Sequence, residues 1–235
     1  MDKTGKKEPR MILALDLETT DEALDFLRRW GKRIKYVKIG PGLFAQGGTD
    51  FITRLREDGR KIFLDLKLHD IPNTVAEAVK FLSSKGIWAI TLHTSGGRPM
   101  MESAVRARKD KSTLLFGVTV LTSLDSTSWD EVHPGCSIND ALAKRAKIAV
   151  ESGMDGIVCS PRELAMFNRD PYFGLLKIVP GIRPADYEMF DDQRRTSTPS
   201  FAAEGGADFV VVGRPVTRAE DPGRIIDTIL RDLRR

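Results

Sequence analysis

Residues 61–75 read KIFLDLKLHDIPNTV, and Asp65, Lys67 and Asp70 are the groups whose types and spacing can do chemistry. At the two-residue period of a strand, Ile62, Leu64, Leu66 and Leu68 share one face, and Phe63, Asp65 and Lys67 share the other. A carboxylate and an ammonium therefore stand two residues apart at the C-terminal end of an apolar strand. Asp70 follows where Ile71-Pro72-Asn73 ends the strand and Thr74 is placed to start a helix. A lone Asp-x-Lys at a strand end is more often a surface ion pair. Here the strand is apolar enough to be buried, and charged groups recur at the ends of neighbouring strands, where α/β folds gather their ligands.

The first strand-like run ends in Asp16, and the second carries Lys38 in phase with Tyr36, while Val37 and Ile39 face the other way. In a closed barrel Asp16, Lys38, Asp65 and Lys67 crowd one mouth, with Asp70 just outside it. Burying such charges unpaired costs several kcal/mol each. An alternating chain of lysines and aspartates satisfies itself and keeps both lysines cationic. That suits a proton donor or a carbanion stabiliser, not a nucleophilic lysine.

Other polar groups fall at the same mouth. In VVVGRPV, Gly213 permits close backbone approach and Arg214 offers a forked donor, at a position where barrels often bind phosphate. From the residues alone, a turn bearing a surface arginine is an equal reading. The loop at 180–198 carries Arg183, Gln193, Arg194 and Arg195; its composition suits a lid over an anion, or an ordinary long surface loop. Thr122 and Ser123 offer hydroxyls to a polar ring. His93 shares a strand face with Thr91 and is as well explained by packing as by ligand contact; His69 breaks the inward phase and reads as support. The histidines and carboxylates show no metal-ligand spacing.

Strand-like runs at 11–16, 34–39, 61–68, 87–93, 113–119, 154–159, 175–179 and 207–212 must position these groups. Amphipathic segments lie between them. Leu24, Phe26 and Leu27 mark a helix over 21–30, and Val75, Ala78, Val79 and Leu82 mark one over 74–85. Helices are also expected at 139–152, at 199–204 before Gly205-Gly206, and from Pro222 onward. Strand starts about two dozen residues apart suit a strand plus its crossover helix. Eight such units in 235 residues predict a single-domain (β/α)8 TIM barrel, with an open doubly wound sheet as the alternative. The longer gaps, 120–137 and 180–198, fall where barrels keep working loops.

The chain is 41% hydrophobic and 30% charged, enough apolar content for a large core. Residues 1–10, MDKTGKKEPR, read as a disordered basic tail before a domain spanning 11–235, and not as a signal peptide. No apolar segment approaches the roughly 18–20 residues of a membrane span. Cys136 and Cys159 make no disulfide framework. A soluble, cytoplasmic protein is expected. The formal charge of +4 is modest and concentrated in the tails. With no basic stripe interleaved with aromatics, nucleic acid is not favoured.

The motifs FLDLKLHDIPNTV, ALD, VKIG, LTS, PGIR…DDQ and VVGRP, in this order from Met11 to the last helix, resemble the orotidine 5'-monophosphate decarboxylases of the bacterial type. The resemblance implies a (β/α)8 barrel that works as a homodimer with shared active sites. It implies conversion of orotidine 5'-monophosphate to uridine 5'-monophosphate and carbon dioxide, the last step of de novo pyrimidine synthesis, without metal or organic cofactor. Carried over by motif, Lys67 protonates C6 of the ring, Asp65 lies beside the leaving carboxylate, and Lys38 and Asp16 hold the ribose hydroxyls. Asp70, Ile71 and Thr74 reach into the partner's site. Thr122 bonds the pyrimidine, Gln193 bridges ring and phosphate, and Arg214, the Gly213 backbone and Arg183 bind phosphate.

Three other readings compete. Keto-gulonate-phosphate decarboxylases and hexulose-phosphate synthases share the Asp-x-Lys-x-x-Asp corner, but they resemble magnesium enzymes and tend to carry an acidic residue where this chain has Lys38. A phosphosugar epimerase or isomerase would want a different acid/base pair. A non-catalytic phosphate binder would leave the full ion chain unexplained.

Overall fold

The computed structural model describes residues 10–185, 187 and 196–234. Eight strands, β1 (Arg10–Ala14), β2 (Tyr36–Ile39), β3 (Lys61–Leu68), β4 (Ala89–His93), β5 (Leu114–Val118), β6 (Gly156–Val158), β7 (Leu176–Val179) and β8 (Phe209–Val212), pair in parallel and in sequence order. β1 closes the ring on β8, with Ile12 opposite Val211. That pairing removes the open-sheet alternative: the fold is a (β/α)8 TIM barrel.

Between the strands lie α1 (Thr20–Trp30), α2 (Pro41–Glu57), α3 (Pro72–Ser83), α4 (Gly97–Ala107), α5 (Ser126–Val132) and α6 (Ile138–Glu151). They are followed by the short α7 (Leu164–Phe167), α8 (Pro199–Glu204) and α9 (Arg214–Thr217), and by the final α10 (Pro222–Asp232). Local chemistry sets several starts. Thr19, Asp125, Ser137, Thr198 and Asp221 each accept a backbone N–H of the helix they cap. Pro72 occupies the first turn of α3, which needs no N–H there, so this helix begins two residues before the expected Thr74. Among the described residues, no helix is long and apolar enough to cross a membrane.

Strand alternation divides the core in two. Outward residues such as Leu13, Val37, Ile39, Ile62, Leu64, Ile90 and Val210 pack under the helices. Inward residues Ile12, Ala14, Tyr36, Phe63, Ala89, Phe116, Ile178, Phe209 and Val211 fill the barrel. Tyr36 and Phe209 lie 4.7 and 4.8 Å from Trp88, ring centroid to centroid, and plug the N-terminal end. Arg10, expected in the tail, belongs to β1: it pairs opposite Phe209 and its guanidinium donates to the Tyr36 hydroxyl at 3.1 Å. Residues 1–9, the rest of that expected tail, lie outside the described residues.

With its N-terminal end filled by rings, the barrel opens at its C-terminal mouth, where strand phase gathers Asp16, Lys38, Asp65 and Lys67. Gly156 makes room within: a Cβ there would fall 2.4 Å from both the Leu176 carbonyl oxygen and the Phe116 ring.

Candidate active site

Inward phase carries β1 through Ile12 and Ala14 to Asp16, β2 through Tyr36 to Lys38, and β3 through Phe63 to Asp65 and Lys67. The four charges meet. Lys38 Nζ lies 2.9 Å from Asp16 Oδ1 and 4.0 Å from Asp65 Oδ2, and Lys67 Nζ lies 2.8 Å from the same Asp65 oxygen. The order Asp16–Lys38–Asp65–Lys67 alternates sign along its length. Side-chain exposure runs from 53% at Asp16 to 14% at Lys38 and 13% at Asp65, then returns to 36% at Lys67. The desolvated middle is thus flanked by opposite charge on both sides, as a buried ion requires.

β3 departs from regular geometry where it presents Lys67. The register against β4 shifts between Leu64 and Leu68, and Lys67 has a φ of 49°, a left-handed conformation that a side chain seldom adopts. Its N–H donates to Thr91 Oγ1 at 2.9 Å, and Thr91 Oγ1 donates to Asp65 Oδ1 at the same distance. His93, half-buried on β4, has its pKa lowered first by burial and then by the neighbouring His69, Lys67 and Arg145, with Asp65 opposing.

Asp16, Lys38, Asp65 and Lys67 line a cavity of about 310 Å3 that also holds Thr122, Ser123, Arg183, Gly213 and Arg214. Val118, Val158, Ile178 and Val211 supply its apolar floor. Such a volume suits one small ligand, with an apolar surface for a ring and a few polar groups to orient it. Four basic side chains against two acidic ones favour an anion. Arg183 and Arg214 come from the segments after β7 and β8, Arg214 opening the short α9, which is the usual barrel location for a phosphate. At Gly213 a Cβ would lie 3.2 Å from Ala14 Cβ and 3.4 Å from Asp16 Oδ2. Glycine therefore lets the chain pass against the end of β1.

The expected residues divide into three groups. Asp16, Lys38, Asp65, Lys67, Thr122, Arg183, Gly213 and Arg214 share the one cavity. Asp70, Ile71 and Thr74 do not line it: Asp70 accepts the Ile71 N–H at 2.7 Å on an exposed corner, and Ile71 is 67% exposed. Gln193, Arg194 and Arg195 lie outside the described residues. The base of their loop is described and pinned, with Ile182 bridging Ser197 and the Arg183 N–H donating to the Ser197 carbonyl at 2.9 Å. The residue that sequence reasoning passed over is Thr91. It was visible as a hydroxyl in phase with Ala89 and His93 on β4, but its two partners depend on the β3–β4 register.

A closed parallel barrel with its charges collected at the C-terminal ends of the strands defines the class: a (β/α)8-barrel enzyme. The pattern of the orotidine 5'-phosphate decarboxylase / HUMPS family matches residues 9–229, and the chain belongs to that family. It is 39% identical over 229 residues to the orotidine 5'-phosphate decarboxylase of Actinobacillus succinogenes, covering 96% of this chain and 98% of that protein. It is likewise 39% identical over 231 residues to the enzyme of that name from Neisseria meningitidis, covering 97% and 94%. The crystal structure of orotidine 5'-phosphate decarboxylase from Lactobacillus acidophilus superposes with a TM-score of 0.85 at 35% identity, covering 97% of this chain and all of that one.

Proposed function

We infer that this protein is an orotidine 5'-phosphate decarboxylase, converting orotidine 5'-monophosphate to uridine 5'-monophosphate and carbon dioxide in pyrimidine biosynthesis. The observation that carries the reading is the Asp16–Lys38–Asp65–Lys67 chain within one cavity that Arg183 and Arg214 also line. Lys38 favours the nucleotide substrate over a keto-sugar phosphate, because it places a cation where magnesium-dependent relatives would want a carboxylate.

In the proposed reaction the bond from C6 to the substrate carboxylate breaks, carbon dioxide leaves, and the electron pair stays on C6. The Lys67 ammonium stabilises that pair as it develops and then gives C6 a proton, to be replaced from solvent. A fixed cation held by Asp65 needs no reorganisation at the moment of reaction, which is where electrostatic catalysis gains most. Asp65 lies beside the departing carboxylate, and Asp16 with Lys38 holds the ribose hydroxyls. Thr122 bonds the pyrimidine. Arg214, the Gly213 backbone and Arg183, with Gln193, bind the phosphate and its bridge to the ring. Binding energy from the phosphate, far from C6, is then available to the transition state.

The working unit is a homodimer in which Asp70, Ile71 and Thr74 of one protomer complete the partner's site. Asp70 and Ile71 stand on an exposed corner and do not line their own cavity, which supports this. A cytoplasmic location fits the reaction.

The test is the loss of orotate-ring ultraviolet absorbance on mixing the protein with orotidine 5'-monophosphate in the presence of chelator. Rapid loss is expected, with no release of carbon dioxide from 3-keto-gulonate 6-phosphate. Turnover of the keto-sugar phosphate alone would overturn the nucleotide assignment.

A further inference from the structure

Thr91 lies on β4 with no solvent exposure, and it is not among the residues lining the cavity. It nevertheless joins the two groups on which the proposed chemistry turns. The Lys67 N–H donates to Thr91 Oγ1, and the hydroxyl donates to Asp65 Oδ1, both at 2.9 Å. A hydroxyl has a single proton and an amide can only donate, so the Thr91 proton is committed to Asp65. The other oxygen, Asp65 Oδ2, faces Lys67 Nζ at 2.8 Å and Lys38 Nζ at 4.0 Å. Both oxygens of this carboxylate are therefore engaged from different sides, and its plane cannot turn without breaking a bond.

The same hydroxyl acts on the lysine through the backbone. Lys67 is the non-glycine residue with positive φ among the described residues, and it sits in the stretch where the β3–β4 register shifts. A side-chain acceptor on the neighbouring strand holds the amide in that turn, which in turn sets where the Lys67 side chain begins. Other buried threonines show the ordinary arrangement. Thr94 donates to the Val118 carbonyl at 2.9 Å and Thr113 to the Ile87 carbonyl at 2.7 Å, each satisfying the backbone alone.

We propose that Thr91 is a positioning residue for the decarboxylation, its hydroxyl fixing the Asp65 carboxylate and the backbone turn that aims the Lys67 ammonium. The proposal rests on the roles assigned above to Lys67 and Asp65. Thr91→Val keeps the branched shape and removes the hydroxyl, while Thr91→Ser keeps the hydroxyl and removes a methyl. For Thr91→Val, kcat is expected to fall at least about tenfold while KM and the affinity for uridine 5'-monophosphate stay within about threefold. Thr91→Ser should recover most of kcat despite its smaller volume. Thr91→Ala carries the same expectation as Thr91→Val and serves if the valine variant does not fold. A kcat for the folded Val or Ala variant within about twofold of the parent would overturn the proposal, and so would a Ser variant as slow as Val. Lys67→Ala in the same assay separates the two levels. Turnover there within about tenfold of the parent would remove the reading on which the proposal rests; an inactive Lys67→Ala beside a fully active Thr91→Val would remove the positioning role alone.

Discussion

Asp65 has opposite charge or a hydroxyl at each of its oxygens, and the site's other charges follow from it. Lys38 is shared with Asp16, and Lys67 leans on Asp65 from the solvent side. The Asp-x-Lys-x-x-Asp spacing and the phase of Asp16 and Lys38 were readable in the sequence because strand periodicity decides which residues face inward. The left-handed turn at Lys67 was not, since it depends on how β3 meets β4. His93 adds a consequence for stability. Its pKa is lowered, chiefly by burial, so the unfolded chain takes up the proton first as pH falls through the usual histidine value near 6.5. Above that value both states are neutral and His93 contributes nothing to the slope. Below it stability declines, until the folded imidazole also protonates. Thermal denaturation of parent and His93→Gln between pH 7.5 and pH 5 should show a shallower decline in the variant; parallel curves would mean that His93 contributes nothing to the slope.

At the scale of elements, the strands were found within one or two residues at most ends, and β3 and α8 coincide with expectation. Some helices were harder to see. α2 contains Gly42, Gly47 and Gly48, with a non-helical break at Gly48, and α4 opens with Gly97-Arg98-Pro99; both weaken the periodic signal. The gap at 120–137, expected as a long working loop, contains α5. Arg145 on α6 braces this segment: it donates to the Thr119 carbonyl at 2.7 Å and lies 5.0 Å over the Trp129 ring. Thr122 follows three residues after that carbonyl and lines the cavity, so loosening the brace should reach the hydroxyl proposed to bond the pyrimidine. Arg145→Ala loses the hydrogen bond to the Thr119 carbonyl, a long one at 3.4 Å to His133 Nε2 and the cation–π contact, about 2 kcal/mol together. The melting temperature is expected to fall by about 4–8 °C. KM should rise severalfold with a smaller change in kcat. A stable variant with unaltered KM would show that the brace does not reach the site.

Barrel closure is a property of the whole molecule. No local pattern specifies that β8 returns to β1; the inference came from the count of alternating units, and the pairing of Ile12 with Val211 realises it. The proposed homodimer belongs to the same scale. Asp70 and Ile71 stand on an exposed corner outside their own cavity. With sites shared across a dimer, Lys67→Ala and Asp70→Ala are each expected to be inactive alone. Co-refolded in equal amounts, half the dimers are mixed and each has one intact site, which predicts recovery of about one quarter of the parent rate. No recovery from a well-folded mixture would place Asp70 in the site of its own chain or outside the chemistry.

The measurement that bears most directly on the mechanism is turnover and product binding in Lys67→Ala, on the same preparation. The parent should decarboxylate orotidine 5'-monophosphate rapidly. The variant should lose at least about four orders of magnitude in kcat, near 5.5 kcal/mol of transition-state stabilisation, while its affinity for uridine 5'-monophosphate stays within about tenfold. A variant that still turns over within tenfold of the parent, or that loses binding and turnover in equal measure, would contradict the assignment of Lys67 as the group that meets the carbanion at C6.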